Sequence, residues 1–410
     1  MADILKPRDD KDLAETVAKL AAANVAIEVK GAGTKRSIGR PVTAATIIET
    51  SAMTGLTLYE PTELVMSARA GTPLAQIEAT LAERGQLLAF EPIDLGPISG
   101  AAGGQQTIGG VFATAASGPR RITSGSARDH ILGVKAVNGR GEMFKSGGRV
   151  LKNVTGYDVG RALVGSWGTL AILTELTFKV MPRPERTETL VWPGLTEEIA
   201  VEAMCAALGT PFEVNGTMHL SAALTSRLEL KSLAREAAPI TAIRIENFAS
   251  AVDYRANRLA DALKIFGTPH KLGHDASLAF WEELRRLSVF TRLASEAPRQ
   301  LWRLSTSPRK APAVMAAIRR NTEAEACLDV SGGLIWLEVP ASADAGAADI
   351  RRILAGAGGH ATLISAEREV RESVEVFHPM NAVVERLSTG LKDAFDPARI
   401  LNPGRMYATL

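Results

Sequence analysis

Residues 103–118 read GGQQTIGGVFATAASG, with two glycine pairs flanking Thr107 and the small residues Ala113, Thr114, Ala115 and Ala116 following. Little bulk protrudes over most of this stretch, so backbone can approach backbone, or a ligand, unusually closely. A second such loop lies upstream at Lys30-Gly31-Ala32-Gly33-Thr34-Lys35, after an alternating apolar run. Exposed N–H groups in a glycine turn form a concavity that suits an anion. Each loop alone is equally compatible with tight packing. Two in one half of the chain point to a large flat cofactor. Neither has the spacing of a Walker loop or of the G-x-G-x-x-G dinucleotide turn.

The flanking sequence places these loops. Leu13, Val17 and Leu20 recur at helical spacing, that run ends near Asn24, and a strand is expected over residues 25–30. The stretch LTLYEPTELVMSARAGTPLAQIEATLAERG predicts two short strands and a helix capped by Thr72, with Pro73 at its first position and Gly85 just past its end. Leu74, Ile77 and Leu81 form that helix's inner face. A short helix at residues 159–164, the turn GSWGT and the strand LAILTELTFKV follow. Pro182 and Pro184 mark a boundary. From there to about residue 375, amphipathic helices such as AFWEELRRLSVF and apolar runs such as GGLIWLEVP suggest a separate α+β domain. The tail AFDPARILNPGRMYATL returns to turn chemistry.

The chain has 410 residues, enough for two or three domains, and 47 Lys+Arg against 45 Asp+Glu leave a formal charge of +2. That charge gives no broad field for nucleic acid or an anionic membrane. The acidic start and the lack of any apolar run of about twenty residues speak against a signal peptide, direct membrane insertion or a span, and favour a cytoplasmic protein. Cys205 and Cys327 are the only cysteines, too few for a cysteine-held iron–sulfur cluster in this chain alone.

The residues Thr107-Ile108-Gly109-Gly110, Arg128-Asp129, Lys152-Asn153-Val154-Thr155-Gly156-Tyr157-Asp158 and Gly165-Ser166-Trp167-Gly168-Thr169, in that order, together with FDPARILNPGRM near the end, resemble the PCMH-type FAD-binding domain of the vanillyl-alcohol-oxidase flavoproteins. That group contains D-lactate dehydrogenases and glycolate oxidase. The length and the GRVLKNVTGYD form are most similar to its FAD-binding glycolate oxidase E subunits. The resemblance implies an α+β fold. An FAD-binding domain over residues 1–184, with subdomains of about 1–55 and 56–184, would carry an α+β cap over 185–375, and residues 376–410 would return to the first domain. It also implies that Lys30, Gly31, Ala32, Gly33, Thr34 and Lys35 wrap the diphosphate, and that Thr107, Ile108, Gly109, Gly110, Ala113, Thr114, Ser117 and Gly118 lie along the cofactor. Pro92, Gly168, Ile172 and Asn402 complete the expected site. Arg128 and Asp129 are either ligand contacts or an ion pair at a strand entry. Tyr157 reads as a buried hydrogen-bond anchor rather than a proton donor.

Departures from the family pattern narrow the expectation. Members that attach flavin covalently carry a histidine in the first loop, and this loop has none, so FAD should be noncovalent. The catalytic 2-hydroxyacid dehydrogenases carry a string like H-x-G-D-G-x-x-H that binds a metal; here only HKLGHD, with His270 and His274, comes near it, and no metal is expected. His130, His219, His360 and His378 are isolated and read as structural. Arg285, Arg286 and Arg303 could clamp a carboxylate but read first as helix-surface charges. The expected function is a flavin relay or structural subunit of a glycolate oxidase complex, beside a related catalytic FAD subunit and an iron–sulfur subunit, reaching the inner membrane through those partners. No catalytic residue is identified. The alternatives are a self-sufficient FAD-dependent 2-hydroxyacid dehydrogenase and a flavin-free scaffold.

Overall fold

The computed structural model describes residues 2–150, 156–291 and 296–410. The segment 151–155, which holds Lys152, Asn153, Val154 and Thr155 of the family motif, lies outside the described residues. Contacts divide the chain into two units. The first comprises Met1–Gly118, Gly125–Arg183 and Glu375–Leu410; the second comprises Pro119–Ser124 and Pro184–Val374.

The first unit contains two sheets. Strands β1 (Asp3–Leu5), β2 (Ile27–Lys30) and β3 (Thr46–Glu49) form a parallel sheet in the order β1-β3-β2. Helix α1 (Asp10–Ala22) begins at Asp9, whose carboxylate accepts the Lys11 and Asp12 N–H groups, and buries Leu13 and Val17. It ends at Asn24, where φ is +51°, the left-handed turn that closes many helices. β2 starts two residues later than the alternation predicts because the chain is still leaving this turn: Val25 N–H bonds back to Leu20 O. The core here joins Leu13, Val17, Ile27 and Ile48 to Ile400 and Leu401. Those last two residues add a bridge beside Ile27. The C-terminal motif is thereby part of the first sheet's framework.

Strands β4 (Leu56–Glu60), β5 (Val65–Arg69), β7 (Ile131–Asn138), β8 (Met143–Gly147) and β9 (Ala171–Lys179) form an antiparallel sheet in the order β4-β5-β9-β7-β8; the short pair β6 (Gln86–Leu87) and β10 (Met181–Pro182) stands apart. Helix α2 (Leu74–Ala82) and helix α3 (Ile108–Ala113) bury Leu74, Ile77, Leu81, Ile108, Val111 and Phe112 in one core with Leu176 and Phe178. Thr72 does not cap α2. Its hydroxyl bonds to Arg69 O and accepts the Gly55 N–H, tying β5 to the preceding turn. Tyr157 is 91% exposed, so it is not a buried anchor; its neighbour Asp158 caps the helix Val159–Leu163 instead.

The second unit is an antiparallel eight-stranded sheet. Its strands are β11 (Arg186–Pro193), β12 (Val214–Leu220), β13 (Ile240–Asn247), β14 (His270–Leu272), β15 (Arg299–Ser305), β16 (Glu325–Asp329), β17 (Leu334–Pro340) and β18 (His360–Ser365), ordered β14-β11-β13-β12-β16-β17-β15-β18. One face is apolar: Leu190, Trp192, Ile243 and Ile245 pack against Ala207 of helix Glu197–Leu208 and Ala256 and Leu259 of helix Ala249–Ala262. Alternation along each strand sends Arg244, Glu246, Asp329, Glu338 and Arg303 to the other face. Arg303 is therefore a strand residue, which corrects its reading as a helix-surface charge. Arg285 and Arg286 do sit at the end of helix His274–Arg285 and pair with Glu282 and Glu229.

Candidate functional site

The pocket of interest lies wholly in the first unit and opens to solvent, with about 810 Å³ of open space. Its lining brings together Lys30, Gly31, Ala32, Gly33, Thr34, Lys35, Thr107, Gly109, Gly110, Ala113, Thr114, Gly168, Ile172 and Asn402. Pro92, Ile108, Ser117, Gly118, Arg128 and Asp129 are not in it. Ile108 faces the core, and the Ser117 hydroxyl accepts the Ala127 N–H. A Cβ on Gly118 would come 2.6 Å from Glu91 O, which ties its small size to packing. Arg128 is exposed, and Asp129 closes a capping box with Ser126 rather than an ion pair.

The loop after β2 is polarised. Gly33 has φ +81° and bends the chain so that Arg36 N–H reaches Gly33 O. The carbonyls of this turn are occupied: Ser99 donates to Thr34 O, and the Arg405 guanidinium donates to Lys35 O at 2.7 Å and to Arg36 O at 3.1 Å. By contrast, the N–H groups of Ala32, Gly33, Thr34 and Lys35 have no acceptor among the described residues. Consecutive unmatched donors are the composition of an anion-binding nest.

Three cations border the loop, and two are neutralised. Lys30 pairs with Glu49 at 3.0 Å, whose carboxyl is held down to about 2 by the Ser51 hydroxyl and then by Lys30 and Lys6. Arg36 makes a two-pronged pair with Glu28. Lys35 differs. It is 7% exposed, its ammonium donates to the neutral Gln106 Oε1 at 2.9 Å, and burial pushes its pKa down to about 8 against the weaker pull of Asp94. Asp94 itself is engaged by the Gly96 and Gly104 N–H groups. A buried ammonium without a carboxylate is costly unless an anion joins it.

The TIGG segment contributes room rather than donors. Its N–H groups are already matched: Ile108 to Thr72 O, Gly109 to Ala70 O and Gly110 to the Thr107 hydroxyl. A Cβ on Gly31 would collide with the Thr107 hydroxyl, and one on Gly109 would sit 2.8 Å from Ala70. Opposite lie the turn at Trp167 and Gly168 and the apolar wall Ala171, Ile172 and Leu173 at the start of β9. Asn402 holds this wall to β2: its Oδ1 accepts Val29 N–H at 2.8 Å and its Nδ2 donates to Trp167 O at 2.8 Å. The amide thus acts as a clasp at the pocket's edge.

Lining residues that sequence reasoning passed over include Val29, Ala70, Ser166, Trp167, Leu173 and Arg405. Arg405 stood inside the quoted closing motif; its task on a loop 370 positions away had no local signal. His270 and His274 do not converge on a ligand, since His274 Nδ1 accepts the Thr187 N–H across from β14. No group of three or more His, Cys, Asp or Glu suited to a metal occurs among the described residues.

The chain is 34% identical over 404 residues to the glycolate oxidase subunit GlcE of Escherichia coli strain K12, covering 97% of each. It belongs to the GlcE family. The FAD binding domain profile matches residues 2–147, and that match with the GlcE kinship makes FAD the cofactor and the chain an FAD-dependent oxidoreductase of this family. A shorter stretch of 85 residues is 41% identical to glycolate oxidase subunit GlcD of Bacillus subtilis strain 168, covering 21% of this chain and 18% of that one. The fold matches a solved 4-ethylphenol oxidase from Gulosibacter chungangensis with a TM-score of 0.74 at 13% identity, over 99% of this chain and 89% of that one. The GlcE-family pocket fits the cofactor by its own chemistry: four unmatched N–H groups and one uncompensated ammonium suit a diphosphate, and the apolar wall suits a flat ring.

Proposed function

We propose that the chain is a noncovalent FAD subunit of a glycolate oxidase complex, relaying electrons or bracing the complex beside a related catalytic flavoprotein and an iron–sulfur subunit. The observation that carries the flavin part is Lys35, buried at the glycine loop with only Gln106 and the loop's unmatched N–H groups beside it. Ala32 to Lys35 would hold the diphosphate through main-chain donors, while Lys35 supplies charge and Gly109, Gly110, Ala113 and Thr114 leave space. Bound FAD supplies two-electron uptake and stepwise release. The pocket lining contains no histidine, cysteine or tyrosine to attach it, which supports an exchangeable cofactor.

The subunit role is supported by full-length similarity to a protein named as a glycolate oxidase subunit, and by the lack of an H-x-G-D-G-x-x-H string in the sequence. No helix among the described residues is long and apolar enough to cross a membrane, in keeping with membrane access through partners. The test is anaerobic addition of glycolate or D-lactate to the isolated, FAD-loaded chain. Its absorbance should persist, and should bleach only when a catalytic partner is present. Bleaching of the isolated chain would replace this reading with the self-sufficient 2-hydroxyacid dehydrogenase.

A further inference from the structure

The polar face of the second unit's sheet holds a pair of guanidinium groups that its own carboxylates do not neutralise. β15 and β17 place Arg303 opposite Trp336, with the guanidinium carbon 6.0 Å from the ring centroid, and β18 places Thr362 opposite Arg303 on the other side. Helix α4 (Arg121–Ser124) packs on β12. It lies over the same face, because its neighbour Arg120 grips Glu246 through two hydrogen bonds of 2.8 and 2.9 Å. Arg120 and Arg244 share Glu246, and Arg227 holds Glu338 at 3.0 Å. Arg303 and Arg121, in contrast, have no hydrogen bond or ion pair among the described residues. Burial, and then the field of Arg121, push Arg303 down to about 10, and Asp329 offsets this only in part.

We propose that Arg121 and Arg303, with Trp336 as a platform, form a binding site for the carboxylate of a small acid. Two guanidinium forks match the planar, two-oxygen geometry of a carboxylate, and the indole face holds Arg303 in place by a cation–π contact. Asp329 lies two positions along β16 from the Cys327–Trp336 row. It disfavours a dianion such as sulfate and favours a ligand that carries one negative charge. Assigning that ligand to the 2-hydroxyacids rests on the proposed function above; the carboxylate site does not.

The experiment is calorimetric titration of the full-length, FAD-loaded chain with sodium glycolate, with ethylene glycol and sodium sulfate as comparison probes. Saturable glycolate binding is expected, with none for ethylene glycol and weaker binding for sulfate. Arg303→Gln and Arg121→Gln should each weaken glycolate by roughly tenfold or more. Arg303→Lys should recover part of that loss, and Arg286→Gln, paired at a helix end, should change nothing. Arg121 is partly exposed on a four-residue helix, so its variant keeps the test valid if Arg303→Gln does not fold. Absence of saturable glycolate binding, equal binding of sulfate, or wild-type affinity in Arg121→Gln would overturn the proposal. A chain that holds FAD but not glycolate removes this inference and leaves the flavin reading standing. One that binds glycolate through both arginines but never takes up FAD does the reverse.

Discussion

The glycine loop of the first unit and the polar sheet face of the second treat cations in parallel ways with different materials. Around the loop, Lys30 and Arg36 are each matched to a glutamate, and Lys35 is left with an amide and unmatched backbone donors. On the sheet, Arg120, Arg227 and Arg244 have carboxylates, while Arg121 and Arg303 have none. The matched cations set geometry. The unmatched ones mark where a ligand's charge is wanted. The first region recognises through main chain, so it demands glycine; the second recognises through side chains on a rigid sheet and demands only correct strand register.

The largest effect should come from breaking a matched pair. Lys392 is buried and donates to Asp396, Thr169 O and Leu401 O, joining the closing motif to the turn beside the pocket. Asp396→Ala leaves that ammonium uncompensated and should cost about 3–5 kcal/mol in urea unfolding. A loss under about 1 kcal/mol would show that the matched cations are not structural.

Next in size is the unmatched lysine. Lys35→Met should leave stability unchanged or raised, since a buried charge is removed, yet weaken FAD by about 10–100-fold in a fluorescence titration, the cost of losing hydrogen bonds from a charged donor. Equal losses of stability and FAD affinity would erase the distinction between matched and unmatched cations. Gly109→Val should act sterically, forcing α3 from Ala70 and lowering both stability and FAD content, whereas Gly33→Leu, with open space around it but φ +81°, should lose FAD chiefly through the loop's conformation.

The smallest effect is in pH. Because the Lys35 pKa falls from the ordinary 10.5 to about 8 in the fold, the FAD-free chain carries an unfavourable charge below pH 8 that is relieved as pH rises from about 8 to 10.5. An anion reverses this by favouring the protonated amine. FAD affinity should therefore be flat below about pH 8 and decline above it, and Lys35→Met should abolish the decline. A wild-type profile that stays flat through pH 9.5 would remove Lys35 from the site.

Much of the first unit is readable locally. The glycine pairs, the proline boundary and the alternating run before the first loop place the elements that build the pocket, and the unmatched donors of residues 32–35 follow from a loop that must turn at Gly33. What escaped was long-range. Asn402 looked like a ligand contact, but its amide spans Val29 and Trp167. Arg405 supports Lys35 and Arg36 from the other end of the chain. Tyr157 looked buried because tyrosine beside a helix start usually packs, yet nothing covers it among the described residues. Arg303 was misplaced because its short strand, RQLWRLS, mixes charged and apolar residues in a spacing that a helix also allows.

The account rests most directly on an exchangeable flavin in the loop-built pocket. The deciding measurement is the absorbance spectrum of the purified full-length chain, taken before and after unfolding and removal of small molecules. The native protein should be yellow, and all of the colour should leave on unfolding. A colourless chain that fails to take up added FAD, or a yellow colour that stays on the unfolded polypeptide, would contradict it.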